Sequence, residues 1–370
     1  MPYISKLNNF FAEQEFSIPE IPLLQPADPF LDTAGEDLRR RIFMTNDLGG
    51  ETLCLRPEFT IPVCLAHLAN NNDYGKYAYC GKVFRQRRNG PEEFFQAGME
   101  FIGGNQQAGT LESISSDVDC ITNALDALAT CGMNKGSIVV GDKAVFEALL
   151  IALELPQAWR LRLGRAFGDI QKFENDLQLF ESSEHGIQSR DSELHLALEY
   201  MNKQAVTDWV VDKMATASLP TIGGRTALDI AERTITKADL AATQLSAKQR
   251  KILRAFLSIE VPMANAVEKL CEFSKLMELE MGDAIEIFAQ RAKQIDAGIG
   301  DQITAIWRAN FGRPLDYYTG IGFEIFRDDS PVPVCGGGRY DHLMNLLGAE
   351  GEIPAIGFSI WIDRLKGSLQ

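Results

Sequence analysis

Residues 79–103 read Tyr79-Cys-Gly-Lys-Val-Phe-Arg-Gln-Arg-Arg-Asn-Gly-Pro-Glu-Glu-Phe-Phe-Gln-Ala-Gly-Met-Glu-Phe-Ile-Gly103. The stretch has the pattern of a β-hairpin. Val83 and Phe84 on one arm, and Phe101 and Ile102 on the other, have strand character, and Asn89-Gly90-Pro91 between them is a reverse-turn signal. Successive strand side chains point to opposite faces. Arg85 and Arg87 are therefore expected to share one face of the first strand. On the second, Gln96, Gly98 and Glu100 share a face, and Phe95, Ala97, Met99 and Phe101 line the other. Folding about the turn brings Arg85 near Gln96. One side is then apolar and directed at a core. The other carries a cation, an amide and a carboxylate around a glycine that leaves space above the sheet. Such a floor suits a small zwitterion, its carboxylate on the arginine and its ammonium on the glutamate. An amphipathic hairpin with a solvated polar face would give the same pattern, so the decision falls to the rest of the chain.

A chain of 370 residues holds one large or two ordinary domains, and 45% hydrophobic with 24% charged residues is ordinary for a globular protein. The net charge of −15 argues against a broad nucleic-acid footprint, because a polyanion needs Lys and Arg to displace its counterions. Seven cysteines form no Cys-x-x-Cys pair and four histidines show no metal spacing, so reduced thiols and no metal site are expected. With no signal pattern at the N-terminus and no long apolar run, a cytoplasmic protein that does not enter a membrane is expected.

Residues 3–16 have the spacing of a short amphipathic helix, with Ile4, Leu7, Phe10 and Phe11 on one face. Prolines 19, 22, 26 and 29 then exclude a helix and predict an extended edge segment around Ile18–Leu24. A turn at Thr45–Gly50 precedes a strand at Thr52–Leu55. Arg56-Pro57-Glu58-Phe59-Thr60 leads into an apolar helix from about Ile61 to Ala69. A charged pair fixed by a proline at a strand exit aims functional groups into a cleft. The alternative is a helix start, with Glu58 favoured by the dipole and Thr60 as cap. A helix at 111–129, a strand at 137–140 and a helix at 143–153 follow. Residues 155–262 then change to Ala-, Leu-, Gln- and charge-rich helices with turns at Ser182-Ser183 and Gly223-Gly224, which predicts a helical insertion between core segments 1–154 and 263–370. Strands return from about 302. Adjacent Tyr317 and Tyr318, read as strand residues, point to opposite faces, so one of them faces a pocket. Gly336-Gly337-Gly338 lets a backbone pass close under a ligand, yet the spacing fits neither a P-loop nor a dinucleotide fingerprint.

These pieces together carry a resemblance. Leu55-Arg-Pro-Glu-Phe-Thr60, the hairpin from Phe84-Arg85 to Gln96-Ala-Gly-Met-Glu100, Leu315-Asp-Tyr-Tyr-Thr-Gly320, Gly337-Gly-Arg-Tyr-Asp341 and the terminal Gly357–Leu365 occur in the order found in histidyl-tRNA synthetases. The resemblance spans the chain except its helical middle. It implies an α+β fold of class II aminoacyl-tRNA synthetase type, a six- or seven-stranded antiparallel sheet flanked by helices. It also implies a histidine pocket to which Glu58, Thr60, Arg85, Gln96, Glu100, Tyr318 and Tyr340 correspond, with Arg313 matching a catalytic arginine. Three departures stand out. The motifs end about five residues before the last residue, where a synthetase continues into an anticodon-binding domain. Arg87 stands where the synthetase pattern has a glutamate near ATP. Trp361 stands where it has a small glycine, beside Asp363 in place of glutamate, and a tryptophan there crowds the nucleotide side.

That combination resembles the regulatory subunits of ATP phosphoribosyltransferase, synthetase paralogues in histidine biosynthesis that lack the anticodon domain. The resemblance implies no catalysis and no cofactor, and a dimer within a hetero-octamer with a short-form catalytic subunit. It further implies activation of that subunit and feedback inhibition by L-histidine. The competing expectation is a truncated synthetase-like enzyme that adenylates histidine, favoured by the surviving Arg85, Arg313 and Arg364. A scaffold with a vestigial pocket is the third.

Overall fold

The structure is a computed structural model that describes residues 2–365 apart from 34, 89, 105, 107, 180–202, 217–225, 243–244 and 314–316. The turns expected at Ser182-Ser183 and Gly223-Gly224 lie outside the described residues. The chain divides into two compact units, Met1–Ala152 with Ala255–Gln370, and Leu153–Arg254.

The first unit is built on an eight-stranded sheet. Its strands are β4 (Tyr74–Phe84), β5 (Glu93–Gly103), β6 (Gly136–Asp142), β7 (Glu260–Pro262), β8 (Ile303–Arg308), β9 (Ile321–Phe326), β10 (Cys335–Arg339) and β11 (Ala355–Trp361). They lie in the order β4-β5-β11-β10-β9-β6-β8-β7, antiparallel throughout except for the parallel β6–β8 pair. The resemblance implied six or seven strands. The additional edge is β7, three residues ending in a proline, which an edge position tolerates because its missing N–H faces away from the ladder. A smaller sheet, β1 (Leu24–Pro26), β3 (Thr52–Leu55) and β2 (Met44–Asn46), stands apart from the large one.

Helix α1 (Pro2–Glu13) buries Leu7, Phe10 and Phe11, with Ile4 half-buried on the same flank. The proline-rich segment that follows is not extended throughout. Pro29 lies in the first turn of α2 (Asp28–Thr33), where its missing N–H and fixed φ cost nothing. Helices α3 (Glu36–Arg39), α4 (Thr60–Ala69), α5 (Ser113–Thr130) and α6 (Lys143–Ala152) complete the flanks nearest the site. No helix among the described residues is long and apolar enough to cross a membrane.

The decisive hairpin is β4–β5, in a ladder running from Tyr74↔Gly103 to Phe84↔Glu93. It corrects the sequence reading in two respects. The first strand ends at Phe84, so Arg85 and Arg87 lie in the connecting loop and share no strand face. Gln96 stands opposite Gly81, while Arg85 donates its backbone N–H to Glu92. Neither face is solvated either. Phe95 is half-buried, Ala97, Met99 and Phe101 are buried on one side, and Phe94, Gln96 and Glu100 are buried on the other.

Burial of charge extends below the sheet. Asp117 of α5 takes ion pairs from Arg291 at 2.8 Å and Arg339 at 2.7 Å, and Arg339 also pairs with Asp341 at 3.2 Å. All four groups are buried. Pairing is the condition under which such charges are tolerated in a core. The network fixes Asp341, whose carboxylate accepts the N–H groups of Ala108 and Ala355, and so fixes the neighbouring Tyr340.

Candidate functional site

A cavity of about 370 Å³ opens over the β4–β5–β11–β10 face of the sheet. Glu58, Thr60, Arg85, Gln96, Glu100, Arg313, Tyr318 and Tyr340 all line it. The eight residues come from five separate segments, and the hydrogen-bond pattern explains how each is held.

Glu58 sits at the entry to α4. Its carboxylate accepts the backbone N–H of Thr60 at 2.6 Å and of Ile61 at 2.9 Å. The capping role expected for Thr60 thus belongs to Glu58, which satisfies donors that a helix N-terminus leaves open. Thr60 is free to turn its hydroxyl elsewhere. Arg56, the other member of the charged pair, does not reach the cavity. Its guanidinium lies over the Phe59 ring at 3.9 Å and donates to the carbonyls of Ile21 and, at 2.8 Å, Lys82.

Glu100 is the centre of the site. Thr60 Oγ1 donates to its Oε1 at 2.8 Å, Tyr79 Oη donates to Oε1 at 3.1 Å, and Tyr340 Oη donates to Oε2. Tyr79 Oη lies 2.8 Å from Ser359 Oγ and accepts from it when its own proton goes to Glu100. Burial pushes the Glu100 carboxyl up to about 8; the Tyr340 and Thr60 hydroxyls hold it down, and Glu58 nearby adds to the rise. Glu58 is raised as well, chiefly by burial, with the two backbone N–H groups and Arg85 opposing.

Gly357 makes room for this carboxylate. It stands opposite Glu100 in the β5–β11 ladder, and a Cβ at that position would run into Glu100 Oε2 and the Met99 carbonyl. Gly357→Ala is therefore expected to cost about 1–3 kcal/mol of stability by overpacking. Thermal denaturation of the variant checks this. The space above Gly98, by contrast, holds no ligand, because the Tyr79 ring and hydroxyl occupy it.

The cationic side is Arg85 and Arg313. Arg85 Nε donates to the Pro57 carbonyl at 2.6 Å, which turns the rest of its guanidinium toward the cavity it lines. Burial brings its pKa down to about 10, opposed by Glu58 and reinforced by Arg41, Arg313 and Arg87. Arg313 Nη1 donates to Tyr318 Oη at 3.0 Å, and Arg313 pairs with Glu324 at 3.5 Å. A Cβ on Gly336 would meet Arg313 at 2.9 Å, and one on Gly338 would meet Tyr318 at 2.6 Å. The glycine run thus gives passage to two site side chains across β10. Gln96 lies between the charged ends, and its Oε1 is buried without a hydrogen-bond partner among the described residues. A bound N–H would satisfy it.

Sequence reasoning missed Tyr79, Tyr317, Glu324 and Ser359. Tyr317 and Tyr318 both line the cavity, with ring centroids 5.3 Å apart, because they lie outside any strand and the alternation rule does not apply to them. Tyr79 and Glu324 had a legible signal, since each falls on a strand in register with a site residue's face.

The third side of the cavity is Trp361, buried, with Arg313 at 5.4 Å and Arg364 at 4.2 Å from its ring centroid. Arg87 and Asp363, the two charged departures from the synthetase pattern, form an ion pair at 3.3 Å. The reversed charge at Arg87 is thus neutralised by a carboxylate at a position that is acidic in the synthetase pattern as well.

The antiparallel sheet, the strand-exit Glu58 and the buried Glu100 floor define a class II aminoacyl-tRNA synthetase-like protein. The family model for histidyl-tRNA synthetase matches residues 4–208 and 225–365. The chain is 42% identical over 369 residues to an ATP phosphoribosyltransferase regulatory subunit of Chelativorans sp., covering 98% of this chain and 96% of the relative. It is 44% identical over 374 residues to that of Brucella canis, covering 99% and 96%. Among solved structures, one described as an ATP phosphoribosyltransferase regulatory subunit/histidyl-tRNA synthetase from Bacillus halodurans is similar at a TM-score of 0.64 and 20% identity, over 98% of this chain and 77% of that one. A histidyl-tRNA synthetase from Nostoc sp. is similar at a TM-score of 0.62 and 14% identity, over 98% and 69%. The chain belongs to the ATP phosphoribosyltransferase regulatory subunits, within the wider histidyl-tRNA synthetase-like family.

Proposed function

We propose that this protein is a sensor: its cavity binds L-histidine, performs no chemistry on it, and through that binding inhibits a short-form ATP phosphoribosyltransferase catalytic subunit that the unliganded protein activates. The observation that carries the reading is the joint presence of a buried, hydroxyl-bound Glu100 and two half-buried arginines in one small cavity beside Trp361. In this reading the ligand's ammonium sits against Glu100 and Thr60, and its carboxylate against Arg85 or Arg313. Gln96 Oε1 takes a ligand N–H. Charge-assisted hydrogen bonds of this kind are the strong ones, and a preformed cage spares the cost of assembling them. Trp361 and its arginines fill the side where a synthetase-like enzyme would hold a nucleotide.

The protein acts, on this reading, as a dimer within a hetero-octamer in the cytoplasm, without metal, cofactor, nucleic acid or membrane. Coupling of about 1–3 kcal/mol between the cavity and the partner is enough for strong feedback, and reciprocity requires the partner's substrates to alter histidine affinity. The rival reading, histidine adenylation, is favoured by Arg85, Arg313 and Arg364 lining the same cavity. Calorimetry with L-histidine together with histidine-dependent ATP–pyrophosphate exchange separates them. Binding heat without exchange is expected. Exchange would establish the enzyme, and no binding heat would leave a scaffold.

A further inference from the structure

Helix α4 is ten residues long, and its first turn delivers Thr60 to the cavity, with Glu58 just before it. A helix this short has little stability of its own, so what it packs against decides whether it holds. Thr60, Cys64 and His67 fall at i, i+4 and i+7 and share one face. At the near end Thr60 Oγ1 donates to Glu100. At the far end lies His67, fully buried, its Nδ1 at 2.9 Å from Tyr77 Oη and the two rings edge to face with centroids 5.7 Å apart. Tyr77 is the ladder partner of Glu100, so both ends of α4 are fastened to the same hairpin.

The far contact is built. Tyr77 reaches His67 by lying back over Gly75, where a Cβ would run into the Tyr77 ring and hydroxyl. Asn72 Nδ2 donates to Tyr77 Oη at 3.2 Å. The hydrogen of that hydroxyl then has His67 Nδ1 as its acceptor, which makes the imidazole neutral with its proton on Nε2. Nε2 is buried and has no hydrogen-bond partner among the described residues.

This surrounding does not accommodate a second proton. The last turn of a helix favours a cation, but burial outweighs that preference and holds the His67 pKa below its ordinary 6.5. The titratable groups on its side are Tyr77 on β4, which keeps its proton as the donor, and Cys64 one turn earlier on α4, whose thiol burial pushes well up. Neither supplies a negative charge to an imidazolium. A proton on Nδ1 would point at the Tyr77 hydroxyl hydrogen. Turning that hydroxyl to accept would strand its hydrogen in the core.

We propose that the His67–Tyr77 pair is a proton-operated clasp: neutral His67 holds the far half of α4 on the hairpin, and in acid it lets go. Released, His67 titrates at its ordinary 6.5; clasped, it binds fewer protons. The clasped state is therefore fully favoured above about pH 6.5 and loses ground as pH falls below that value. Thr60, at the near end of the same helix, loses support with it.

The test is hydrogen exchange at the backbone amides of residues 64–70 in the full chain, from about pH 7.5 to about pH 5, corrected for the intrinsic pH dependence of exchange. His67→Gln is measured in parallel, since glutamine still offers Tyr77 an acceptor and does not titrate. Expected is a fall in protection of at least about fivefold in the unaltered chain and of less than about twofold in the variant. Glu100 titrates in both proteins and cancels from the comparison. The imidazole signals of the unaltered chain give a second reading that needs no substitution to fold. One of the four, from His67, should still be mostly neutral at pH 6.5 and titrate below it. Protection that does not fall in the unaltered chain, equal acid sensitivity in the two proteins, or four imidazoles all titrating at 6.5 or above would each overturn the proposal. Neither measurement uses a ligand, so neither depends on what the cavity binds.

Discussion

On the sensor reading, Glu100→Gln is expected to weaken L-histidine binding by about a hundredfold or more while leaving the protein folded and the proposed activation of its catalytic partner intact. The substitution keeps the shape of the side chain. Its amide oxygen still accepts from Thr60 and Tyr79, and its amide nitrogen donates to the Tyr340 hydroxyl, which accepts as readily as it donates. What disappears is the negative charge. A ligand ammonium buried against a neutral amide loses a charge-assisted bond and keeps its desolvation cost, and truncating one side of a buried charge pair typically costs about 2–5 kcal/mol. Fold stability should hold or rise, because the unliganded protein no longer buries an ionisable carboxyl. Calorimetry gives the affinity, and thermal denaturation shows whether the fold is intact. An affinity within a few-fold of the unaltered protein would place the ammonium elsewhere.

Histidine affinity should also climb with pH in a way that the same variant lacks. With the Glu100 carboxyl pushed up to about 8 by burial, most of it is protonated at neutral pH in the empty site. The ligand ammonium needs the ionised form. Affinity is therefore expected to rise close to tenfold per pH unit from about pH 6 and to level off near pH 8, a gain of about fiftyfold in all. Binding at pH 7 should release close to one proton, measurable as a dependence of the calorimetric heat on buffer ionisation enthalpy. The sign for stability runs the other way. A carboxyl whose folded pKa exceeds its unfolded value of 4.5 binds more protons in the folded state. Its contribution to stability is present below about pH 4.5 and declines as pH rises toward 8. Bound histidine should offset that decline, and Glu100→Gln should flatten both profiles.

The hairpin was readable because strand alternation and an Asn-Gly-Pro turn are local signals, and Glu100 stood out as a carboxylate on a face otherwise suited to a pocket. What escaped reading depended on partners far along the chain. Asp117 falls among apolar positions of α5 and looks like surface charge until Arg291 and Arg339 close over it. Tyr317 was set aside by a strand rule that its segment does not obey. Arg85 and Arg87 looked like neighbours on one face; beyond the end of β4 they diverge into two different cavities. The triple glycine drew attention as a ligand cradle, and its use is to let Arg313 and Tyr318 cross β10. In each case the local pattern was sound, and a contact between distant segments determined its meaning.

The most direct test of the sensor account is the phosphoribosyltransferase activity of the catalytic subunit reconstituted with this chain, titrated with L-histidine, using unaltered and Glu100→Gln protein in parallel. The account predicts activation by both proteins, inhibition by histidine with the unaltered chain, and inhibition shifted to about hundredfold higher histidine with the variant. Equal inhibition of the two complexes would contradict it.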